Sequence, residues 1–123
     1  MRTKLIVAIS ILTCGIAMPV FSADCSDAHS YADDAYRQAK RGYNSDNLED
    51  AEFYARRAMS AAEGAMSAAE ECGCENAHSA AEDAYNYARK AYRSGDFDYA
   101  INYLRKAKSS ADDAMSYASD CGI

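Results

Sequence analysis

Cys25–Cys72 reads CSDAHSYADDAYRQAKRGYNSDNLEDAEFYARRAMSAAEGAMSAAEEC, and Cys74–Cys121 reads CENAHSAAEDAYNYARKAYRSGDFDYAINYLRKAKSSADDAMSYASDC. Each residue of the second run lies 49 positions after its counterpart in the first, with no gap. About half of the aligned positions are identical, which an Ala-rich composition alone does not produce. The matches include Ala28-His29-Ser30 with Ala77-His78-Ser79, Asp34-Ala35-Tyr36 with Asp83-Ala84-Tyr85, and Ala65-Met66-Ser67 with Ala114-Met115-Ser116.

Inside the first copy, Cys25, Ala28, Ala32, Ala35, Ala39 and Gly42 follow one another at spacings of 3 and 4, as do Ala51, Ala55, Ala58, Ala62, Ala65, Ala69 and Cys72. Such alternation marks one stripe of a helix that faces a partner helix. The second copy repeats both stripes, from Cys74 to Ala91 and from Ala100 through Leu104 to Cys121. Folding each copy back on itself pairs Cys25 with Cys72, Ala28 with Ala69, Ala32 with Ala65, Ala35 with Ala62, Ala39 with Ala58 and Gly42 with Ala55. The two numbers of every pair add to the same total, which is the register of an antiparallel helical hairpin. Methyl-sized seam residues allow axes at or below the short end of the usual range of about 8–10 Å. At that approach two facing cysteines reach the Cα separation of about 5.5–6 Å that a disulfide needs.

The fold expected is therefore all-α: two tandem antiparallel αα-hairpins with Ala heptad seams, stapled by Cys25–Cys72 and Cys74–Cys121. They pack either as a four-helix bundle or as a short helical-repeat stack. The chain-entropy account assigns about 4 kcal/mol to each staple. An alanine seam buries few carbons per turn, so a small domain of this kind depends on such staples.

Ahead of the repeat, residues 1–23 read as a secretory signal peptide. Arg2 and Lys4 give a positive start, Leu5 to Ile16 an apolar core, and Pro19 a break before small residues. Cleavage is expected after Ala23, with Ser22 as the alternative. The apolar run is shorter than the ~20 residues of a membrane span. A single helical domain over residues 24–123 then remains, made of repeat 1 (25–73) and repeat 2 (74–122). Secretion is the expected localisation, with a bacterial periplasm or beyond as destination, and the even set of four cysteines suits an oxidising compartment. Losing the signal removes two basic residues and no acidic ones, so the rest is more acidic than the whole chain's −6. Such a chain repels nucleic acid and anionic lipid.

Turn chemistry places the helix ends. Asn44 to Asp46 turn the first hairpin, and Asn47 caps the second helix with Asp50 in its first turn. In the second copy Gly95 suits a left-handed position after the helix and Asp96 the next N-cap. Ala88, Gly95, Phe97, Ala100, Leu104 and Ala107, in the order Ala-x6-Gly-x-Phe-x2-Ala-x3-Leu-x2-Ala, resemble the middle of a tetratricopeptide repeat. That resemblance implies paired helices and a groove that binds peptides. It covers about 20 residues of the second copy. The first copy keeps Ala39, Leu48, Ala51 and Ala58, with Asp46 where the turn glycine stands. The period of 49 departs from the family's period of about 34, and no closing proline follows.

A second stripe lies beside each seam: His29, Tyr36 and Tyr43 with Met59 and Met66, then His78, Tyr85 and Tyr92 with Ile101 and Met115. Large side chains at helical spacing pack, so these are expected as core between hairpins, with tyrosine hydroxyls at the rim. Tyr36, Tyr43, Tyr54, Tyr85, Tyr92 and Tyr103 are the candidates for a partner-binding surface. The rival chemistry is metal: His29, Met66, His78 and Met115, with thiolates of the four cysteines, form a ligand set suited to Cu(I). Formed disulfides would consume those thiolates. Charged pairs occupy outward positions, the basic ones toward the turns and the acidic ones toward the cysteines. A solvated face with cross-helix ion pairs is expected, and the alternative is an acidic pole that holds cations or a basic partner.

No phosphate loop, nucleophile elbow or carboxylate pair in a cleft is recognisable, so no enzyme and no cofactor are expected. The function expected is non-catalytic: an interaction or scaffold protein that binds an unidentified protein or peptide partner through Tyr-rich helix faces. Metal binding or buffering is the alternative. The second stripe closes within one chain or between two, so a homodimer stays open.

Overall fold

A computed structural model describes residues 24–121; the N-terminal segment read as a signal peptide lies outside the described residues. Four helices follow in order: α1 Ser26–Tyr43, α2 Leu48–Glu71, α3 Glu75–Arg93 and α4 Phe97–Asp120. Corresponding helices match in length, 18 and 19 residues for α1 and α3, and 24 each for α2 and α4.

Local chemistry sets the ends where the turn residues pointed. Asn47 Oδ1 accepts from Asp50 N at 2.9 Å and caps α2, and Asn47 Nδ2 donates to Asp50 Oδ2 at 3.2 Å, which holds the cap side chain in place. Asp96 Oδ1 accepts from Asp98 N at 3.1 Å and opens α4. Gly95 has φ +69° in the second turn, and Gly73 has φ +77° in the link between hairpins. Both are backbone conformations that residues with a Cβ adopt at a cost.

The helices run up, down, up and down. α1 packs along α2, α3 along α4, α2 along α3 and α1 along α4, while the diagonal α1–α3 contact is slight. This closes a four-helix bundle, the first of the two packings that the hairpins allowed. A tetratricopeptide-type stack rests the first helix of each pair on the first helix of the next, and that contact is the slightest one here.

The interior is layered, and each layer takes a seam pair from each hairpin. Ala28, Ala69, Ala77 and Ala118 lie with Cys25 and Cys74 at the cysteine pole. Ala32, Ala65, Ala81 and Ala114 come next, then Ala35, Ala62, Ala84 and Ala111. Toward the turns follow Ala39 with Ala58, Ala88 with Ala107 and Ala91 with Leu104. Ala61 and Ala80, which lie off the seams, are buried as well and add methyls between the hairpins. Leu104, Cys25 and Cys74 are the largest fully buried side chains among the described residues. Alanine therefore makes the interior. The larger stripe flanks it: Tyr36 and Tyr85 pack on one layer and Met66 and Met115 on another, all of them half-buried.

Cys25–Cys72 and Cys74–Cys121 are disulfide-bonded, with Cα separations of 5.4 and 6.0 Å. Two cystines fit an oxidising environment. Among the described residues no helix is long and apolar enough to cross a membrane.

Candidate functional site

The charges divide the bundle along its length. Residues 24–36, 58–88 and 109–121, which form the cysteine half, hold thirteen Asp or Glu and no Lys or Arg. Residues 37–57 and 89–108, which form the turn half, hold eleven Lys or Arg against six Asp or Glu. Cross-helix ion pairs were the expectation, and the structure differs. Among the described residues the one ion pair is Arg37 with Asp33, 3.5 Å apart one turn along α1 and exposed. The physical reason is position: the acids of the cysteine half have no base in their own half, and five of the six acids of the turn half lie at the turns and first turns of α2 and α4. The side-chain link between α1 and α2 is instead Arg57 Nε donating to Gln38 Oε1 at 3.2 Å, with Gln38 Nε2 donating to Asp34 Oδ1 at 3.2 Å. Gln38 is only 7 % exposed, and these two bonds satisfy both ends of its amide.

In the second hairpin Tyr87 stands at the Gln38 position and Lys106 at the Arg57 position. The polar bridge becomes an aromatic one. Tyr103 is stacked at its centre, 5.4 Å from the ring of Tyr99 and 6.3 Å from the ring of Tyr87, with interplanar angles of 22° and 24°. The Lys90 and Lys106 ammonium groups stand 5.6 and 5.7 Å from the Tyr103 ring centre. At these distances a cation is attracted to a ring face, by about 0.5–1 kcal/mol at an exposed site.

Tyr99 and Tyr103 of this stack form one wall of an open cleft of about 530 Å³ at the turn pole of α3 and α4. Arg89, Lys90 and Arg93 form the other wall, and Asn86 and Ser94 complete it. The first hairpin has its own cleft at the matching place, about 590 Å³, lined by Arg37, Lys40, Arg41, Ser45, Asp46, Asp50 and Tyr54 among others. Guanidinium forks beside tyrosine faces can hold a carboxylate while a flat or apolar group stacks alongside.

The tyrosine candidates distribute unevenly over these features. Tyr103 and Tyr54 line the two clefts. Tyr36 and Tyr85 lie half-buried on an alanine layer, and Tyr43 packs at the turn-pole core with the Lys108 ammonium 5.0 Å from its ring centre. Tyr92 is exposed and belongs to neither cleft. Tyr87 and Tyr99 were missed, because comparing the copies selects positions where both carry tyrosine, and these align with Gln38 and Asp50 of the first copy. Their i+12 spacing from each other across the turn, with Tyr103 one helical turn beyond Tyr99, was the available signal.

At the other pole, Cys25, Cys74 and Cys121 bring their sulfurs within 4.8 Å of one another. All three are disulfide-bonded. Neither His29 nor His78 joins that group; His78 lies in an open cleft lined also by Glu70, Gly73, Cys74 and Glu75. Met66 and Met115 each pack against the neighbouring alanine layer.

No protein-family model, curated protein or solved structure matches this chain. The likeness to tetratricopeptide repeats rests mainly on the residues of the second hairpin.

Proposed function

We propose that this is a non-catalytic helical binding protein, secreted to the bacterial periplasm or beyond, that captures a protein or peptide partner through its tyrosine-rich helix faces. The observation that carries the reading is the Tyr87–Tyr103–Tyr99 stack beside Arg89, Lys90 and Arg93. Tyrosine offers a large, rigid contact area with a polar tip, and Arg adds directional charge; both are enriched where proteins meet. The wall is mounted on two helices that a cystine ties at their far end, so little ordering cost falls on binding.

Panning a random peptide library on the immobilised protein tests this reading. A peptide family should be enriched whose binding is lost in Tyr99→Ala or Tyr103→Ala while the thermal midpoint of Tyr99→Ala stays within about 2 °C. An unenriched library after repeated rounds would count against a binding role.

The second reading is soft-metal binding at the cysteine pole, and the gathered sulfurs of Cys25, Cys74 and Cys121 favour it. It requires the thiols reduced, with His29, His78, Met66 and Met115 as further ligands. Cu(I) titration of the reduced protein checks it. A His29→Ala, His78→Ala double variant with unchanged affinity would remove the histidines from the ligand set.

A further inference from the structure

We infer that the α3–α4 cleft takes an acidic peptide segment carrying an aromatic residue, and that the α1–α2 cleft is the same site neutralised from within by Asp46 and Asp50. This rests on the binding-protein reading and adds to it a partner chemistry and a stoichiometry.

The two clefts are built from equivalent positions of the duplicated sequence. Lys40 and Arg41 correspond to Arg89 and Lys90, Ser45 to Ser94, and Tyr54 to Tyr103, and all of these line the clefts. The third cation changes place, from Arg37 in one to Arg93 in the other, so each cleft keeps three. The decisive differences fall at two positions. Asp46 stands where Gly95 does, and Asp50 where Tyr99 does. The first cleft thus brings two carboxylates of its own among its cations, and an incoming carboxylate meets like charge there. The second brings none among its lining residues, and it exposes an aromatic face, since Tyr99 is 55 % exposed.

Those contents specify the guest. Three cations without a lining carboxylate select an acidic ligand, by the logic through which Arg clusters read acidic motifs. The open tyrosine face selects a flat group beside the acid. The division of charge favours a short guest: a long polyanion that left the cleft would run over the cysteine half, where thirteen acidic residues and no Lys or Arg stand.

The experiment titrates the disulfide-intact protein with a fluorescein-labelled Glu-Glu-Tyr-Glu-Glu peptide, by anisotropy and calorimetry, at low salt and at about 0.15 M. The expected result is one peptide per chain, weakened at higher salt and weakened about tenfold or more by Tyr99→Asp. The converse graft, Asp46→Gly with Asp50→Tyr, should raise the stoichiometry to two. Asp46→Gly alone is the milder version, because Asp50 also takes part in the α2 cap. Circular dichroism checks that each variant keeps its helix content. Unchanged affinity in Tyr99→Asp overturns the inference and leaves the binding-protein reading standing. So does a wild-type protein that ignores this peptide yet enriches neutral or basic ones from the library. Heparin or a single-stranded oligonucleotide binding as tightly as the peptide overturns it in favour of a polyanion. Failure to bind any peptide overturns both.

Discussion

Leu104 of α4 lies directly against Gly42 of α1. A Cβ built on Gly42 would fall 2.9 Å from Leu104 Cδ1, 3.1 Å from Cδ2 and 3.1 Å from Tyr54 Cβ. In the other copy Ala55 stands at the Leu104 position and Ala91 at the Gly42 position. One half of the molecule therefore gives up a methyl where the other gains an isobutyl group. The exchange keeps volume filled at the turn pole and makes the α1–α4 contact unlike the α2–α3 contact.

Gly42→Ala should destabilise the protein despite the better helix propensity of alanine. Propensity gains up to about 1 kcal/mol, while overpacking a confined leucine costs about 1–3 kcal/mol. Leu104→Ala alone should cost about 2–5 kcal/mol through the cavity it leaves. The double variant restores an all-alanine contact and should be less damaging than the two effects summed, with a coupling of about 1 kcal/mol or more. Urea unfolding of the four proteins in this cycle measures it. Strict additivity would show that the two residues do not touch.

Gly64 gives the contrasting case. A Cβ there would fall 2.7 Å from Tyr31 Cδ1, but Tyr31 is 48 % exposed and its ring has solvent to swing into. Gly64→Ala should therefore be neutral or stabilise by up to about 1 kcal/mol. A fall of the urea midpoint as large as that of Gly42→Ala would contradict this account.

Removing one staple should be costly, because an alanine interior has little to replace it. Cys25→Ser with Cys72→Ser should lose about 4 kcal/mol on the loop-entropy account. Under limited reduction Cys121, which is exposed, should alkylate first, and the buried Cys25 and Cys74 last. Peptide mapping by mass spectrometry follows the order, and equal labelling of all four would mean that reduction opens the whole bundle.

The hairpin caps should weigh about equally. Asn47→Ala and Asp96→Ala each leave a helix N-terminus without its side-chain acceptor and should cost about 1 kcal/mol. The matching Gly substitutions should cost only a few tenths of a kcal/mol. Thermal denaturation of the four variants makes the comparison, and an Ala cost no larger than the Gly cost would mean that water caps these ends as well.

The sequence by itself determined the four helices, the seam pairs from Ala28 with Ala69 to Ala91 with Leu104, the capping residues and both cystines. These are legible because they depend on short periodicities and on register inside one hairpin. The tertiary structure alone decided that the hairpins close into a bundle, that Ala61 and Ala80 are buried, and that Leu104 finds Gly42. It also brought Tyr87 and Tyr99 onto Tyr103 beside the cations of α3, and left the acids and bases of the two poles unpaired across the helices. These depend on which faces of helices remote in sequence meet, and on side-chain sizes at the contact. A seven-residue stripe says that a helix has a partner face; it carries no information about how far a neighbouring tyrosine reaches around it.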